Sequence, residues 1–418
     1  MENFEIVGGK KLKGSIDVRG SKNATTPILA ATLLTREECI ISNIPLIEDV
    51  FRMLEILESM GSEIKWLGER KINVKNKNID PAKINAETVK KLRSSVLLLG
   101  SLSARFDKFK FYRPGGCVIG ARPLGTHFDA LRKMGVDIKQ TEKHYFVNIK
   151  KRKTGKITLQ EMSVTATENA MMLAASLPEK TVIKLAACEP HVEDLGIFLV
   201  SLGAKIKGLG THTLEITGSK GLKGTEHVII PDANEAATFL IMGVATGSAI
   251  KVKNAREDHL DLVLEKLREF GADFKITKDC IEVVPAKKLL AVSKIDTRTY
   301  PGVPSDVQAP FGVLATQAEG QTLIHDSLYE SRFNYISELK KMGARAKVLD
   351  PHRVAVNGPT KLKGKNITSF DLRAGATLII AALLAKGKTT IREIYQVDRG
   401  YEKIEERLQK LGAEIKRV

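Results

Sequence analysis

The sequence predicts an α/β protein of two domains, assembled from six copies of one helix-and-strand unit. Six segments share a pattern in which an amphipathic helix ends at a glycine and a strand begins. They read LESMGSEIKW, LRKMGVDIKQ, LVSLGAKIKG, LREFGADFKI, LKKMGARAKV and LQKLGAEIKR, with glycines Gly61, Gly135, Gly203, Gly271, Gly343 and Gly412. Consecutive glycines lie 68 to 74 residues apart. A period this regular predicts a repeated unit, with the glycine just past the helix end, where it takes positive φ without strain.

A second repeated element predicts the core. Each unit contains a helix rich in Ala, Leu and Met with almost no charge, and the six copies span residues 24–34, 94–104, 170–177, 236–245, 307–318 and 374–385. A helix that is apolar on all sides is buried on all sides. We therefore expect one buried helix, one half-exposed helix and several strands in each unit.

The length and a third repeat predict the domain boundary. A chain of 418 residues is long for a single core, so two domains of three units are expected. The turn KLKG or GLKG, followed by a strand and a polar helix start, occurs at residues 11–14, 221–224 and 361–364. The N-terminal strand thus resembles those that open the later units. We expect residues 22–230 to form one domain, and residues 1–21 with 231–418 to form the other.

The charge balance indicates an anionic partner. Lys and Arg number 66 against 49 Asp and Glu, a net charge of +17. Such a surface binds nucleic acid or attracts small anions to a site. The lysines are spread along helices and turns, the one dense run (residues 150–156) is expected at a hairpin tip, and no base-stacking motif is present. We therefore expect small anionic substrates and no nucleic acid.

Cysteine spacing and hydropathy argue against other classes of protein. The four cysteines form no CxxC pair and no metal-like spacing with His. The first residues lack a signal-peptide core, and no apolar run reaches the roughly 18 residues that span a bilayer. The sequence predicts a cytoplasmic protein with no metal and no membrane partner, either a monomer or a weak homo-oligomer.

The starts of the six apolar helices are the first candidate site. They read GSKNA, KLRSS, TATENA, PDANEA, PSDVQA and FDLRAGA, and three of them carry a cation, at Lys22, Arg93 and Arg373. A buried helix presents unpaired N–H groups and a positive dipole at this end, which suit phosphate or carboxylate. The alternative is that each polar residue only caps its own helix. Three cations among six starts favour the anion site.

The segment RPGGCVIGARPLGTH, residues 113–127, is the candidate for covalent or acid chemistry. Its Pro and Gly residues place Cys117 on a loop, and the nearby cation Arg122 would activate the thiol. A loop thiol can act as a nucleophile or as a general acid. For His127, the alternative role is a polar cap of the helix that follows.

Two further segments place charged residues at predicted helix starts. In TYPGVPSDVQAP, residues 299–310, Asp306 is either a helix N-cap or a general base. In VDRGYEKIEERL, residues 397–408, Arg399 is either a surface residue or a member of a cation set. That set comprises Lys22, Arg93, Arg122, Arg332, Arg373 and Arg399.

Seven motifs occur in order along the whole chain: GSKNA, PGGCVIGARP, ATEN, PG-x-P-x-D-x-Q, E-x-RF, DLRAGA and DRGY. Together they resemble the enolpyruvyl transferases, most closely the members that act on UDP-N-acetylglucosamine, since the shikimate-using branch lacks the PGGC loop. The resemblance implies a two-domain inside-out α/β barrel, or prism, of six βαββαβ repeats, three per domain, with helices inside and sheets outside.

The resemblance also implies a reaction without any cofactor. The enolpyruvyl group of phosphoenolpyruvate moves to the 3′-hydroxyl of UDP-N-acetylglucosamine and phosphate leaves, which is the first committed step of peptidoglycan precursor synthesis. Cys117 would protonate the enol carbon, can form a covalent phospholactoyl adduct and would react with fosfomycin. Asp306 would assist removal of the sugar hydroxyl proton, with Lys22 and Arg399 also in catalytic roles.

The other site residues are implied in the same way. The cations that would hold phosphoenolpyruvate are Lys22, Arg93, Arg122, Arg373 and Arg399. The remaining residues that would form or support the substrate site are Asn23, Pro123, His127, Ser163, Val164, Val307, Glu330, Arg332 and Asp371.

Four positions depart from the commonest family pattern, all on the side expected to hold the sugar nucleotide. They are Gly125, where Asp is usual, Thr165, where Gly is frequent, and Cys188 and Ala233, where Arg is common. Two alternatives therefore stay open: an enolpyruvyl transferase with another acceptor, and a non-catalytic paralogue that binds a nucleotide sugar.

Overall fold

The computed structural model describes residues 2–115 and 122–418, in which there are 23 strands and 14 α-helices. The strands, β1 to β23, are Phe4–Val7, Gly14–Asp17, Glu38–Ser42, Glu63–Gly68, Lys71–Lys75, Lys108–Tyr112, Val136–Gln140, His144–Ile149, Lys156–Thr158, Lys180–Lys184, Lys205–Lys207, Thr213–Thr217, Thr225–Val228, Ile250–Lys253, Asp273–Thr277, Cys280–Val284, Lys294–Thr297, Gly320–Asp326, Arg345–Asp350, Arg353–Gly358, Asn366–Thr368, Lys388–Arg392 and Glu414–Arg417. The helices, α1 to α14, are Lys22–Ala31, Glu48–Ser59, Ala86–Lys91, Leu98–Arg105, Gly125–Lys133, Val164–Ala175, Pro190–Ser201, Ala233–Thr246, Asp261–Glu269, Gln308–Ala315, Asn334–Lys341, Leu372–Leu384, Tyr395–Asp398 and Ile404–Lys410.

The strands of the described residues form six sheets, none of which closes into a barrel. Five sheets have four strands, in the orders β13-β3-β5-β4, β11-β12-β10-β9, β21-β22-β1-β23, β15-β16-β14-β2 and β17-β18-β20-β19, and the sixth is β6-β8-β7. Each four-stranded sheet has one parallel pair at an edge and two antiparallel pairs. The α/β class predicted from the sequence is confirmed.

The described chain divides into two compact units. The first unit consists of residues 20–115 and 122–230, and the second of residues 2–19 and 231–418. Within the second unit, β1 lies between β22 and β23, and β2 pairs in parallel with β14. The two N-terminal strands therefore complete sheets whose other strands lie more than 230 residues further along the chain.

The repeated glycines end helices as predicted. The six glycines, Gly61, Gly135, Gly203, Gly271, Gly343 and Gly412, have φ between +87° and +115°. Each lies directly after the C-cap residue of α2, α5, α7, α9, α11 or α14. A side chain would be strained at this φ, so glycine fixes where the helix stops and the next strand can start.

The predicted buried helices are confirmed as α1, α4, α6, α8, α10 and α12. Every residue of α10 is buried, as is every residue from 372 to 383 in α12. In the second unit, α8, α10 and α12 each pack against the other two, and in the first unit α4 packs against α1 and α6. Each buried Leu or Ile side chain contributes about 1.5–3 kcal/mol, so these helices stabilise both units.

The densest basic segment is not a hairpin tip, which corrects the prediction. Residues 150–155 connect β8 to β9, which belong to different sheets. Arg152 donates to the carbonyl oxygens of Ser103 and Phe106 and pairs with Asp107 at 2.8 Å. At least one cation of this segment therefore has a structural role, since Arg152 joins the connection between β8 and β9 to the end of α4. Among the described helices, none combines the length and apolarity needed to cross a membrane.

Candidate active site

The predicted site residues divide between the two units. The first unit carries Lys22, Asn23, Arg93, Arg122, Pro123, His127, Ser163 and Val164. The second unit carries Asp306, Val307, Glu330, Arg332, Asp371, Arg373 and Arg399. Cys117, the predicted loop acid, lies outside the described residues.

Lys22 is the first residue of α1, where a cation is unfavourable because it faces the positive end of the helix dipole. Its Nζ atom lies 3.2 Å from Oδ2 of Asp49, a carboxylate that is almost fully buried. The helix is capped instead by Ser21, whose hydroxyl accepts from the amide of Ala24 at 3.3 Å. Lys22 therefore does not cap its helix, and its ammonium group pairs with the carboxylate of Asp49.

Arg93, Arg122 and His127 lie together in the first unit. The guanidinium of Arg93 donates to the carbonyl oxygen of Arg122. His127 is 4% exposed, and its Nε2 atom lies 2.7 Å from the hydroxyl of Thr165. Burial, and then the charges of Arg93 and Arg122, lower the pKa of His127 to about 3. The imidazole is thus neutral at physiological pH, and it lies inside α5 and bonds a different helix, so the predicted cap role is wrong.

Ser163 and Val164 form the start of α6. Ser163 is in the N-cap position with an extended backbone, yet within the described residues its side chain makes no capping hydrogen bond to the helix. Its carbonyl oxygen accepts from the amide and the hydroxyl of Thr167 at 2.9 and 2.8 Å. A helix start without a side-chain cap suits an anionic oxygen as acceptor for the first N–H groups.

Asp306 is the centre of the second unit's polar cluster. It lies in a 3₁₀ turn, residues 305–307, just before α10, and α10 has no side-chain cap. One carboxylate oxygen accepts from Arg332 at 3.0 Å, and the other lies 2.9 Å from Nη2 of Arg373. Asn234 donates to the second oxygen at 3.4 Å. The N-cap alternative for Asp306 is therefore wrong, because its carboxylate faces two arginines and an amide.

The two arginines stay charged although they are buried. Burial by itself lowers the pKa of an arginine, but the carboxylate of Asp306 raises the pKa of Arg332 and that of Arg373 above the ordinary value. Arg373 is the second residue of α12, again a cation at a helix start. The helix is capped by Asp371, whose Oδ1 atom accepts from the amides of Arg373 and Ala374 at 2.9 and 3.0 Å.

The remaining predicted residues of the second unit differ in burial. Val307 is fully buried and Glu330 is exposed. Arg399 is the C-cap residue of α13 and 8% exposed, so the predicted helix start and the surface alternative are both wrong. Its Nη1 atom donates to Gln396 at 3.2 Å. In the part of the chain that the structure describes, no group of three or more His, Cys, Asp or Glu side chains is placed to hold a metal ion.

Sequence reasoning missed the role of Tyr401. The residue is 1% exposed, and its hydroxyl accepts from Arg373 at 3.2 Å and shares a hydrogen bond with Thr238 at 2.9 Å. The DRGY motif contains this tyrosine, but its partners lie far away in sequence. Within the sequence, the position of this tyrosine in the motif is the local signal for a role.

Comparison with known proteins decides the family. A profile of the family described as EPSP synthase (3-phosphoshikimate 1-carboxyvinyltransferase) matches residues 6–408. The chain belongs to the EPSP synthase family. The enolpyruvyl transferase family predicted from the seven motifs is thereby confirmed.

Within the EPSP synthase family, the chain is similar over its full length to enzymes with one name. It is 42% identical over 419 residues to the UDP-N-acetylglucosamine 1-carboxyvinyltransferase of Coxiella burnetii, a match that covers 100% of this chain and 96% of the relative. It is 41% identical over 424 residues to the protein of that name from Koribacter versatilis, covering 100% and 97%. Its fold matches that of the enolpyruvyl transferase NikO from Streptomyces tendae, with TM-score 0.90, 26% identity and coverage of 100% and 99%.

Proposed function

We propose that this chain transfers the enolpyruvyl group of phosphoenolpyruvate to the 3′-hydroxyl of UDP-N-acetylglucosamine and releases phosphate, the first committed step of peptidoglycan precursor synthesis. The observation that carries this proposal is the identity of 41% and 42%, over the whole chain, to proteins named for this transfer. The cations at helix starts support it, because the substrates carry phosphate and carboxylate groups.

Two helix starts give the binding proposal its physical basis. Lys22 and Arg373 oppose the dipoles of α1 and α12, so each costs helix stability in the free protein. An anion at either start would offset this cost, because it pairs with the cation and lies in the positive potential of the helix end. We assign these two residues, with Arg93, Arg122 and Arg399, to phosphoenolpyruvate and to the charged intermediate that forms from it.

The proposed reaction is an addition followed by an elimination. In the addition, the thiol of Cys117 gives a proton to C3 of phosphoenolpyruvate, the sugar oxygen bonds to C2, and Asp306 takes the hydroxyl proton. In the elimination, a proton passes from C3 to the Cys117 thiolate and the bond from C2 to the phosphate oxygen breaks, which restores the double bond and releases phosphate. Asp306 then gives the proton that it took to the leaving phosphate or to water. The intermediate carries several negative charges, and preorganised cations lower its energy.

The ion pairs of Asp306 give this assignment a testable feature. In the free protein its carboxylate is held by Arg332 and Arg373, which makes it a poor proton acceptor. The phosphate or carboxylate of a substrate competes with Asp306 for Arg373. Substrate binding therefore weakens one of the two ion pairs, and we assign the proton transfer to the carboxylate in that state.

The proposal extends to architecture and location. We assign residues 22–230 to one domain and residues 1–21 with 231–418 to the other, each an inside-out barrel of three βαββαβ repeats with helices inside and sheets outside. The mutual packing of α8, α10 and α12 supports this arrangement for the second unit. The cytoplasm is the proposed location, because phosphoenolpyruvate is a cytoplasmic metabolite, and the active form is a monomer or a weak homo-oligomer.

The experiment that tests the function measures phosphate release from phosphoenolpyruvate by the purified protein with no acceptor, with UDP-N-acetylglucosamine or with shikimate 3-phosphate. We expect release that depends on UDP-N-acetylglucosamine. Release only with another acceptor would favour the alternative that Gly125, Thr165, Cys188 and Ala233 motivate. Binding of UDP-N-acetylglucosamine without any release would indicate the non-catalytic paralogue.

A further inference from the structure

Asp326 is the last residue of strand β18, and its side chain is fully buried. Its Oδ1 atom accepts from the hydroxyl of Thr297 at 3.1 Å. The same atom accepts from the backbone amides of Leu328 and Tyr329 at 3.0 and 3.2 Å. Its Oδ2 atom accepts from the hydroxyl of Ser305. One carboxylate therefore joins three separate segments: the end of β17, the turn before α10, and the loop after β18.

Two of these segments carry the two sides of an ion pair. Ser305 and Asp306 are consecutive residues of the 3₁₀ turn at residues 305–307. The loop after β18 leads to Arg332, which donates to Asp306 at 3.0 Å. In that loop the ring of Tyr329 lies 5.0 Å from the guanidinium carbon of Arg332. Asp326 thus binds both Ser305, which precedes Asp306, and the loop after β18, which leads to Arg332.

A second contact restrains the same arginine from the other side. The carbonyl oxygen of Arg332 accepts from the side-chain amide of Gln308, in α10, at 3.1 Å. The side-chain oxygen of Gln308 accepts in turn from the hydroxyl of Tyr335 at 3.2 Å. Both partners are buried. Because the backbone of Arg332 is held by Gln308, a shift of the loop after β18 would change the distance or angle between the Arg332 guanidinium and the Asp306 carboxylate.

We propose that Asp326 is a positioning residue, which fixes Asp306 and Arg332 relative to each other for the proton transfer in the proposed reaction. The inference rests on the function proposed above. The physical reason is that a buried carboxylate that accepts from four donors holds both segments in place, because the loss of any of these buried hydrogen bonds is costly. A misplacement of about 1 Å in a reacting group can cost on the order of a hundredfold in rate.

The test replaces Asp326 by Asn. The amide keeps one acceptor oxygen but turns an NH₂ group toward Ser305, which can no longer donate there. We expect kcat to fall by about tenfold to a hundredfold, while KM for both substrates stays within about threefold, because no residue that binds them is changed. The matched control is Thr322→Val, on the same strand and also fully buried, whose hydroxyl has no hydrogen-bond partner among the described residues. Its kcat should equal that of the unaltered protein.

A double-mutant cycle separates positioning from a general loss of structure. Ser305→Ala removes the same contact from its other end, so the double variant should be no slower than the slower single variant. Losses that multiply would overturn the proposal, and so would an unchanged kcat in folded Asp326→Asn. If Asp326→Asn does not fold, Ser305→Ala alone tests the proposal, and an unchanged kcat in Ser305→Ala would refute it. Absence of phosphate release by the unaltered protein would overturn the proposed function and this inference with it, whereas release with full activity in both variants would overturn only the inference.

Discussion

Replacing Asp306 by Asn perturbs the proposed base with almost no change of shape. The carboxylate now faces Arg332 at 3.0 Å and Arg373 at 2.9 Å, and both arginine side chains are less than 10% exposed. An amide keeps one acceptor oxygen for one guanidinium and presents N–H donors to the other. Both ion pairs are therefore lost: a hydrogen bond to a neutral amide replaces one, and a contact between two donors replaces the other.

The size of the effect follows from the two roles of Asp306. A general base contributes about 10²–10⁴ in rate, which corresponds to about 3–5 kcal/mol of transition-state stabilisation. The stability cost is expected near the lower end of the roughly 3–5 kcal/mol for breaking a buried pair, because the Asp306 side chain is 24% exposed. Affinity for phosphoenolpyruvate should not fall, since Arg373 no longer has a carboxylate that competes with the substrate.

The assay compares initial rates of phosphate release with the binding of each substrate measured by calorimetry. The matched control is Asp296→Asn, which removes the same charge from a side chain of 26% exposure paired with Arg298 at 2.7 Å. We expect the control to keep kcat within about twofold. A folded Asp306→Asn protein with kcat within threefold of the unaltered protein would refute the base assignment. An equal loss in both variants would attribute the effect to charge alone.

Three further predictions concern other parts of the molecule. Cys117→Ser should lower the rate of product formation by about a hundredfold or more and leave the affinity for UDP-N-acetylglucosamine unchanged, and full activity of this variant would contradict the role of the thiol. Fosfomycin should form a covalent adduct with the unaltered protein only, which mass spectrometry would detect. His127 has a pKa of about 3 in the folded protein against 6.5 in the unfolded chain, so its contribution to stability is present above pH 6.5 and is lost as pH falls toward 3. When pH falls from 7 to 5, the free energy of unfolding measured in urea should decrease by about 2 kcal/mol more in the unaltered protein than in His127→Gln. Equal decreases in the two proteins would contradict this prediction. Glu235→Gln leaves Arg407, whose side chain is 6% exposed, without its carboxylate at 2.7 Å, so the free energy of unfolding should fall by about 3 kcal/mol. Glu87→Gln, on an exposed ion pair, should lower the free energy of unfolding by clearly less, and equal losses in the two variants would contradict this prediction.

Features that depend on local periodicity were predictable. The helix ends at the six glycines and the six buried helices follow from spacing and composition, because a helix's hydrophobic faces are fixed by residues three and four apart. Contacts between distant segments were not. Asp306 meets Arg332 and Arg373 across 26 and 67 residues, so the sequence left its cap and base roles open. The bond from His127 to Thr165 spans 38 residues, and nothing local to either residue indicates it.

Helix boundaries in short segments were also beyond local reasoning. Arg399 precedes a glycine in a polar segment, a pattern that suits either end of a helix. In the structure it ends the four-residue helix α13 and is buried, because neighbouring elements cover it. Whether a charged side chain is buried depends on the tertiary fold, whereas residue type alone predicts that an arginine is exposed.

The position of β1 sets an order of events in synthesis. Val7 of β1 lies opposite Glu414 of β23, so about 400 residues separate two neighbours in one sheet. At about 5–20 residues per second, the ribosome makes β1 on the order of 20–80 s before its last partner exists. The sheets of the first unit need nothing after residue 228 and can close in the meantime. The nascent N-terminal strand therefore lacks both of its sheet partners until translation is nearly complete.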